Sequence, residues 1–312
     1  MQLVPLRDCP VEELNPLFAE ETVHWNDHIF WDYHPTLDIL KRFMRARTLP
    51  GFILGGPDRV MGYSYFVVDR TVAFIGNIYV RNDSACPQTY GALIERTVGA
   101  ATSVPTVQRI ETQIFEFNCE LDSLFSGCGF RVLPRHFLVC PLAECSVQAP
   151  PQFKGGTWRF RQWQDKDLLP AAELVFDSYR NSFDASLCHD YQSRQGCVRF
   201  LKNLIDSPAC GRFCPEDTLI AVDHFDHVSA VLLATRTQPT TAMIPQFSVR
   251  RQYQGRGLGR AMLATFLSQC RSQGLERITL SVSEDNDRAF RLYLRTGFQI
   301  QKSFSAFIWE RP

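Results

Sequence analysis

Two stretches of this chain can be laid on one another without a gap, and that repetition constrains the fold more than any single motif. Residues 110 to 130, "IETQIFEFNCELDSLFSGCGF", and residues 278 to 298, "ITLSVSEDNDRAFRLYLRTGF", share an initial Ile, a Glu, an Asn, a Leu and a closing Gly-Phe. Each reads as a short β-rich run, an Asn-containing loop, a helix stopped by Gly and a further apolar strand. Just upstream, "FIGNIYVRNDSACPQTYGALIERTV" in the first half stands where "MIPQFSVRRQYQGRGLGRAMLATFL" stands in the second, and both run strand, loop, helix. A repeat this long and in one order points to an ancient duplication of a whole domain.

The remaining patterns extend each half in the same way. Helices are expected early, over "VEELNPLFAEET" and "LDILKRFMRART" in the first half and "LLPAAELVFDSYRNSF" and "GCVRFLKNLID" in the second. Hairpins follow, with turn residues between apolar runs, in "GFILGGPDRVMGYSYFVVDRTVAFIGNIYV" and "DTLIAVDHFDHVSAVLLATRTQPTTAMIPQFSV". The fold class is α/β in the layered α+β sense: two tandem domains, each a mixed central sheet flanked by helices. With 312 residues, the chain is longer than a single core usually supports. Pro, Gly, Ser and Gln concentrate in "PLAECSVQAPPQFKGGTW", which is linker chemistry. The expected division is a domain over 1–142, a linker over 143–156 and a domain over 157–312.

Composition narrows the functional classes. Lys and Arg total 33 against 33 Asp and Glu, so no global field favours nucleic acid or an acidic membrane surface. No apolar run approaches the ~20 residues of a membrane span, and "MQLVPLRDCPVEEL" lacks the apolar core of a secretory signal. The 11 cysteines are scattered without zinc-site or disulfide-framework spacing. Reduced thiols in a cytoplasmic protein are expected, with Cys140 and Cys145, and Cys210 and Cys214, as the closest pairs and no metal site. "VDHFDHVSA" places His224, His227, Asp223 and Asp226 at a hairpin turn, where polar residues are expected without any metal.

The stretch "RRQYQGRGLGRAML" needs a separate explanation. Gly255, Gly257 and Gly259 follow a strand ending in Phe247, Ser248 and Val249, and precede a helix expected to begin near Arg260. N–H groups at a helix N-terminus are unpaired and partially positive, so they bind phosphate oxygens. Glycine lets a ligand approach the backbone, and Gln254 and Arg256 can add donors. The spacing is neither that of a dinucleotide loop nor of a P-loop; a turn without any ligand fits the loop alone.

The order Gln254-Gly255-Arg256-Gly257-Leu258-Gly259, after a strand and before a helix, resembles the pyrophosphate loop of the GNAT N-acetyltransferase superfamily. "NDRAFRLYLRTGF", with Asn286, Ala289, Tyr293 and Gly297-Phe298, resembles that superfamily's second signature. The resemblance covers residues 157 to 312 well and residues 1 to 142 more faintly, so the chain is similar to tandem GNAT proteins with a degenerate first half. It implies an acetyl-CoA-dependent N-acyltransferase with acetyl-CoA as cosubstrate and one active site in the second half. Phe247, Ser248 and Val249 would offer backbone donors to the acyl oxygen and pantetheine. The loop from Gln254 to Gly259, Leu258 included, would hold the pyrophosphate.

Asn286, Ala289 and Tyr293 recur near one helix face. Asn286 can cap the helix and touch pantetheine, and Ala289 leaves room for it. The Tyr293 phenol can protonate the leaving thiolate as general acid, although a phenol of pKa about 10 does so slightly uphill against a thiol near 8.5. A packing role for Tyr293 and a purely capping role for Asn286 are the plainer alternatives. The strand "TAMIPQFSV" lacks the carboxylate that family members often carry there, so the base is water or a group such as Asp184, His189, Asp190 or Glu216.

In the first half, Cys86, Gln88 and Tyr90 replace the three glycines, Pro87 removes a donor, and Phe125 replaces Tyr293 without its proton. That half is expected to keep the fold without acetyl-CoA and to shape the acceptor site. The acceptor is expected to be an amine of unspecified class, small molecule or peptide, and the chain a monomer or weak dimer. An acetyl-CoA sensor without turnover is the alternative, and a scaffold with two degenerate halves a third reading.

Overall fold

The computed structural model describes residues 2–55, 59–115, 117–145, 158–180, 182–208 and 210–312. The chain forms two compact units, Met1–Arg135 with Phe304–Pro312, and His136–Ser303. The expected halves therefore exchange their last strands. The final nine residues complete the first unit, and the segment from His136 joins the second. Of the expected linker over 143–156, residues 146–156 lie outside the described residues.

The first unit comprises β1 (Gln2–Pro5), α1 (Asn15–His28), α2 (His34–Arg45), β2 (Gly51–Gly55), β3 (Val60–Asp69), β4 (Val72–Val80), α3 (Pro87–Thr102), β5 (Arg109–Ile114), α4 (Asp122–Gly127) and the start of β6 (Arg131–Pro141). Pro16 and Pro35 stand at the first turns of α1 and α2, where a missing N–H costs nothing. β1 to β4 pair antiparallel in order, and β4 runs parallel to β5. The end of the last strand, from Ser305 to Glu310, pairs antiparallel with β5. Its Phe307 stacks on Phe125 at 4.1 Å between ring centroids. One core gathers Phe52, Ile75, Leu93, Ile110, Phe125 and Phe307, and the other packs Leu14, Phe18, Leu37, Tyr63 and Tyr79.

The second unit follows the same plan. After the end of β6 come β7 (Arg159–Gln162), α5 (Leu168–Tyr179), α6 (Arg194–Asp206), the short β8 (Arg212–Phe213), β9 (Leu219–Val222), β10 (Val228–Gln238), β11 (Thr241–Val249), α7 (Leu258–Ser272), β12 (Arg277–Ser283), α8 (Asp287–Arg295) and β13 (Gln299–Glu310). Neighbours run in the order β6-β12-β11-β10-β9-β7. β11 and β12 are parallel, whereas β9, β10 and β11 pair antiparallel. α7 covers one face with Met262, Leu263, Phe266 and Leu267, and α5 and α6 cover the other with Leu174, Val175, Leu201 and Leu204.

Cys140 and Cys145, expected as thiols, form a disulfide. The turn that brings them together closes through Glu144 and Cys145 N–H groups donating to the Pro141 carbonyl at 3.0 and 3.1 Å. Among the described residues, no helix is long and apolar enough to cross a membrane.

Candidate active site

The second unit's sheet opens where β11 and β12 part. Pro245 lacks the N–H that a ladder needs, and the β10–β11 register jumps there, from Leu233 opposite Gln246 to Thr235 opposite Met243. β11 bulges at that point. Its pairing with β12 runs from Thr241 opposite Arg277 only to Met243 opposite Thr279. Phe247, Ser248 and Val249 remain held by β10 on one side. They line a cavity of about 1080 Å³.

The glycine loop forms one wall. Gly255 and Gly257 take φ of 79° and 86°, the left-handed region that costs other residues roughly 1–2 kcal/mol. Conformation, and not ligand approach alone, therefore calls for glycine at both positions. α7 starts at Leu258, two residues earlier than expected, because Gly257 turns the chain directly into the helix, and no side chain caps it. Gly257, Gly259 and Arg260 line the cavity, so the positive end of a 15-residue helix opens onto it. Gln254 braces the loop, donating to the Val249 carbonyl at 2.9 Å and accepting from Arg288 Nη1 at 2.8 Å. Arg256 is exposed and Leu258 is wholly buried in the core. Neither side chain lines the cavity, so Leu258 has only its backbone to offer.

The helix α8 forms the second wall. Asn286 Oδ1 accepts the Ala289 N–H at 3.2 Å, capping the helix, while its Nδ2 donates to Asp184 Oδ2 at 2.7 Å. Ala289 and Tyr293 follow on the face that lines the cavity. Tyr293 is buried with its ring 5.5 Å from that of Phe298. Burial foremost, then the neighbouring Tyr179 and the charge of Asp184, push its phenol well above the ordinary range, so it stays protonated.

Sequence reasoning did not find the third wall, which comes from the end of α5 and the turn after it: Ser178, Tyr179, Ser182 and Asp184. Only Asp184 among these was a candidate. Behind them, the buried Gln246 accepts from Tyr191 at 3.2 Å and donates to Ser248 Oγ at 2.8 Å and to Tyr179 at 3.4 Å. Tyr179 and Tyr191 stack at 4.3 Å. Arg260 and Arg288, also missed, line the cavity near the loop. The other candidate bases lie elsewhere: Asp190 is held by Arg199 at 2.6 Å, and neither His189 nor the exposed Glu216 lines the cavity.

At the matching positions of the first unit, polar side chains bond to one another and to the backbone. Tyr90 donates to Asn118 Oδ1 at 2.6 Å, and Asn118 Nδ2 donates to the Val80 carbonyl and Asn82 Oδ1, each at 2.9 Å. Pro87 stands in the first turn of α3, and Thr89 Oγ1 accepts the Cys86 N–H at 3.1 Å. Phe125 is fully buried.

At the turn "DHFDH", Asp223 Oδ1 accepts the N–H groups of Phe225 and His227 at 2.9 and 3.0 Å, a local turn bond. Elsewhere Cys214, Glu216 and Asp217 bring three potential ligand atoms within 4.8 Å of one another. Arg236 already meets Asp217 Oδ2 there, at 2.6 and 3.0 Å.

Residues 176–298 match the family profile described as "Acetyltransferase (GNAT) family". Mycothiol acetyltransferase of Frankia casuarinae is 41% identical over 58 residues, 19% of this chain and 17% of that protein. A probable spermine N(1)-acetyltransferase of Bacillus subtilis subsp. natto is 40% identical over 57 residues, 18% of this chain and 38% of that protein. The chain thus aligns with well under half the length of these curated relatives. Among solved structures, a GCN5-related N-acetyltransferase from Sphaerobacter thermophilus superposes with a TM-score of 0.67 at 18% identity, covering 99% of this chain and 96% of that one. A tandem GNAT protein from the clavulanic acid biosynthesis pathway also gives 0.67, at 13% identity, covering 100% and 99%. These two establish the likeness of fold across both halves.

Proposed function

We propose, from the premise that residues 176–298 belong to the GNAT acetyltransferase family, that the chain moves an acetyl group from acetyl-CoA to a primary amine at the second unit's cavity. The observation that carries this is the contrast between two helix starts. α7 opens on a cavity with no capping side chain, whereas at α3 Pro87 stands in the first turn and Thr89 satisfies the Cys86 N–H. A helix N-terminus with free donors and Arg260 and Arg288 beside it fits a pyrophosphate.

The remaining residues fit the rest of such a molecule. The edge of β11 left unpaired by the bulge offers backbone donors from Phe247 to Val249 to the acyl oxygen as it gains charge. Ala289 leaves space for the pantetheine arm, beside Asn286. The amine nitrogen attacks the thioester carbon, the carbon–sulfur bond breaks, and Tyr293 gives its proton to the departing thiolate. The raised phenol makes that transfer harder against a thiol in water. A thiolate that loses water as it is expelled beside the buried phenol is itself more basic, which offsets the penalty. The acceptor nitrogen supplies a proton back to the tyrosinate.

Calorimetric titration with acetyl-CoA on the wild type and on Gly257→Trp tests this reading. One site, lost in the variant, is expected. Two sites in the wild type would mean that the first unit also binds, and no site would overturn the assignment.

A further inference from the structure

The strand position where a carboxylate was expected carries Gln246, whose amide is committed to Tyr191, Ser248 and Tyr179. A carboxylate nevertheless reaches the same cavity from another element. Asp184 lies in the turn after α5, is only 9% exposed, and lines the cavity along with Tyr179 and Tyr293. Its Oδ2 accepts from Asn286 Nδ2 at 2.7 Å. Among the described residues, no donor meets its Oδ1. One oxygen is thus committed to a neutral donor and the other is left to the cavity, where an arriving cation can meet it.

We infer that Asp184 binds the ammonium of the acceptor and takes its proton, which makes the acceptor a cationic alkyl amine. The inference rests on the acetyl-transfer reading above and deepens it. Three carboxylates line the cavity, with Arg260, Arg288, Arg291 and Arg295. Asp285 and Asp287 are exposed, and Asp184 alone of the three is buried. Arg291, also at the cavity, pairs with Asp287 at 2.8 Å, and among the described residues no arginine pairs with Asp184.

The protons balance. R–NH3+ gives one proton to the Asp184 carboxylate, leaving R–NH2 to attack. The thiolate takes the Tyr293 proton, the acylated nitrogen returns one to the tyrosinate, and Asp184 releases its proton to solvent. The net products are the amide, the free thiol and one proton. Asp184 also helps to hold the Tyr293 phenol up. Pairing or protonating Asp184 relieves that repulsion, so Tyr293 becomes the better acid in the step that needs it. Asn286 is a positioning residue that joins Asp184 to the helix carrying Tyr293.

The test compares amines that differ in charge at neutral pH. Phenethylamine and spermidine are cations; aniline is already neutral and needs no base before attack. Thiol release from acetyl-CoA is followed with each, for the wild type, Asp184→Asn and Asp184→Glu, and acetyl-CoA binding is measured by calorimetry. Asp184→Asn should lower kcat/KM for the cationic amines about 100-fold, lower it for aniline at least tenfold less than that, and still bind acetyl-CoA. Asp184→Glu should recover part of the loss. Equal losses for cationic and neutral amines, no loss, or a wild type that turns over aniline but neither cation would overturn the inference while leaving acetyl transfer standing. A wild type that binds no acetyl-CoA would overturn the reading beneath it, and the inference with it.

Discussion

Replacing Glu21 by Gln should abolish a pH dependence of stability that the wild-type first unit carries. Glu21 is fully buried on α1 and accepts from Tyr63 at 2.7 Å, Trp25 Nε1 at 3.0 Å and Asn77 Nδ2 at 2.5 Å. Burial outweighs these donors and pushes its carboxyl up from 4.5 to about 7. The fold therefore holds a proton that the unfolded chain has released between those two values. The stability from this group is full below pH 4.5, falls by about 1.4 kcal/mol per pH unit as pH rises, and is gone above pH 7. The gap amounts to about 3 kcal/mol, or roughly 10 °C in Tm for a unit of this size. Urea unfolding followed by tryptophan fluorescence between pH 4.5 and 8 reads it, because Trp25 bonds directly to Glu21. In Glu21→Gln, which cannot ionise, that slope should vanish. A variant with the wild-type slope over this window would refute the reasoning and place the proton elsewhere.

Three further outcomes are expected. Tyr293→Phe should lower kcat by about 100-fold with acetyl-CoA affinity unchanged in calorimetry, since the ring packing against Phe298 survives. Gly257→Ala, at φ 86°, should cost roughly 1–2 kcal/mol in denaturant unfolding and weaken acetyl-CoA binding by turning the start of α7. Asp217→Ala should destabilise the second unit by about 3–5 kcal/mol in the same assay, because Arg236 loses the fully buried carboxylate that it meets at 2.6 Å.

The two α/β halves, the strand, loop and helix around the glycines and the shared face of Asn286, Ala289 and Tyr293 were legible in the sequence because each element is a local pattern. Periodicity, turn chemistry and a helix start depend on residues a few positions apart. Phe125 shows the limit of that reading: the sequence identifies a ring without a proton, and only the packed core reveals that it stacks on Phe307, far along the chain. The exchange of terminal strands was equally invisible, since nothing local in "SFSAFIWE" says that it will pair with β5 of the other half. Asp184 makes the same point for the site. In sequence it stood level with His189, Asp190 and Glu216 as one polar residue among several. The path of the chain after α5 brings this carboxylate to Asn286, 102 residues away, and into the cavity with Tyr293. Local propensities fix where helices and turns begin, but which buried polar groups meet depends on how whole elements pack, and that is decided only when the chain is folded.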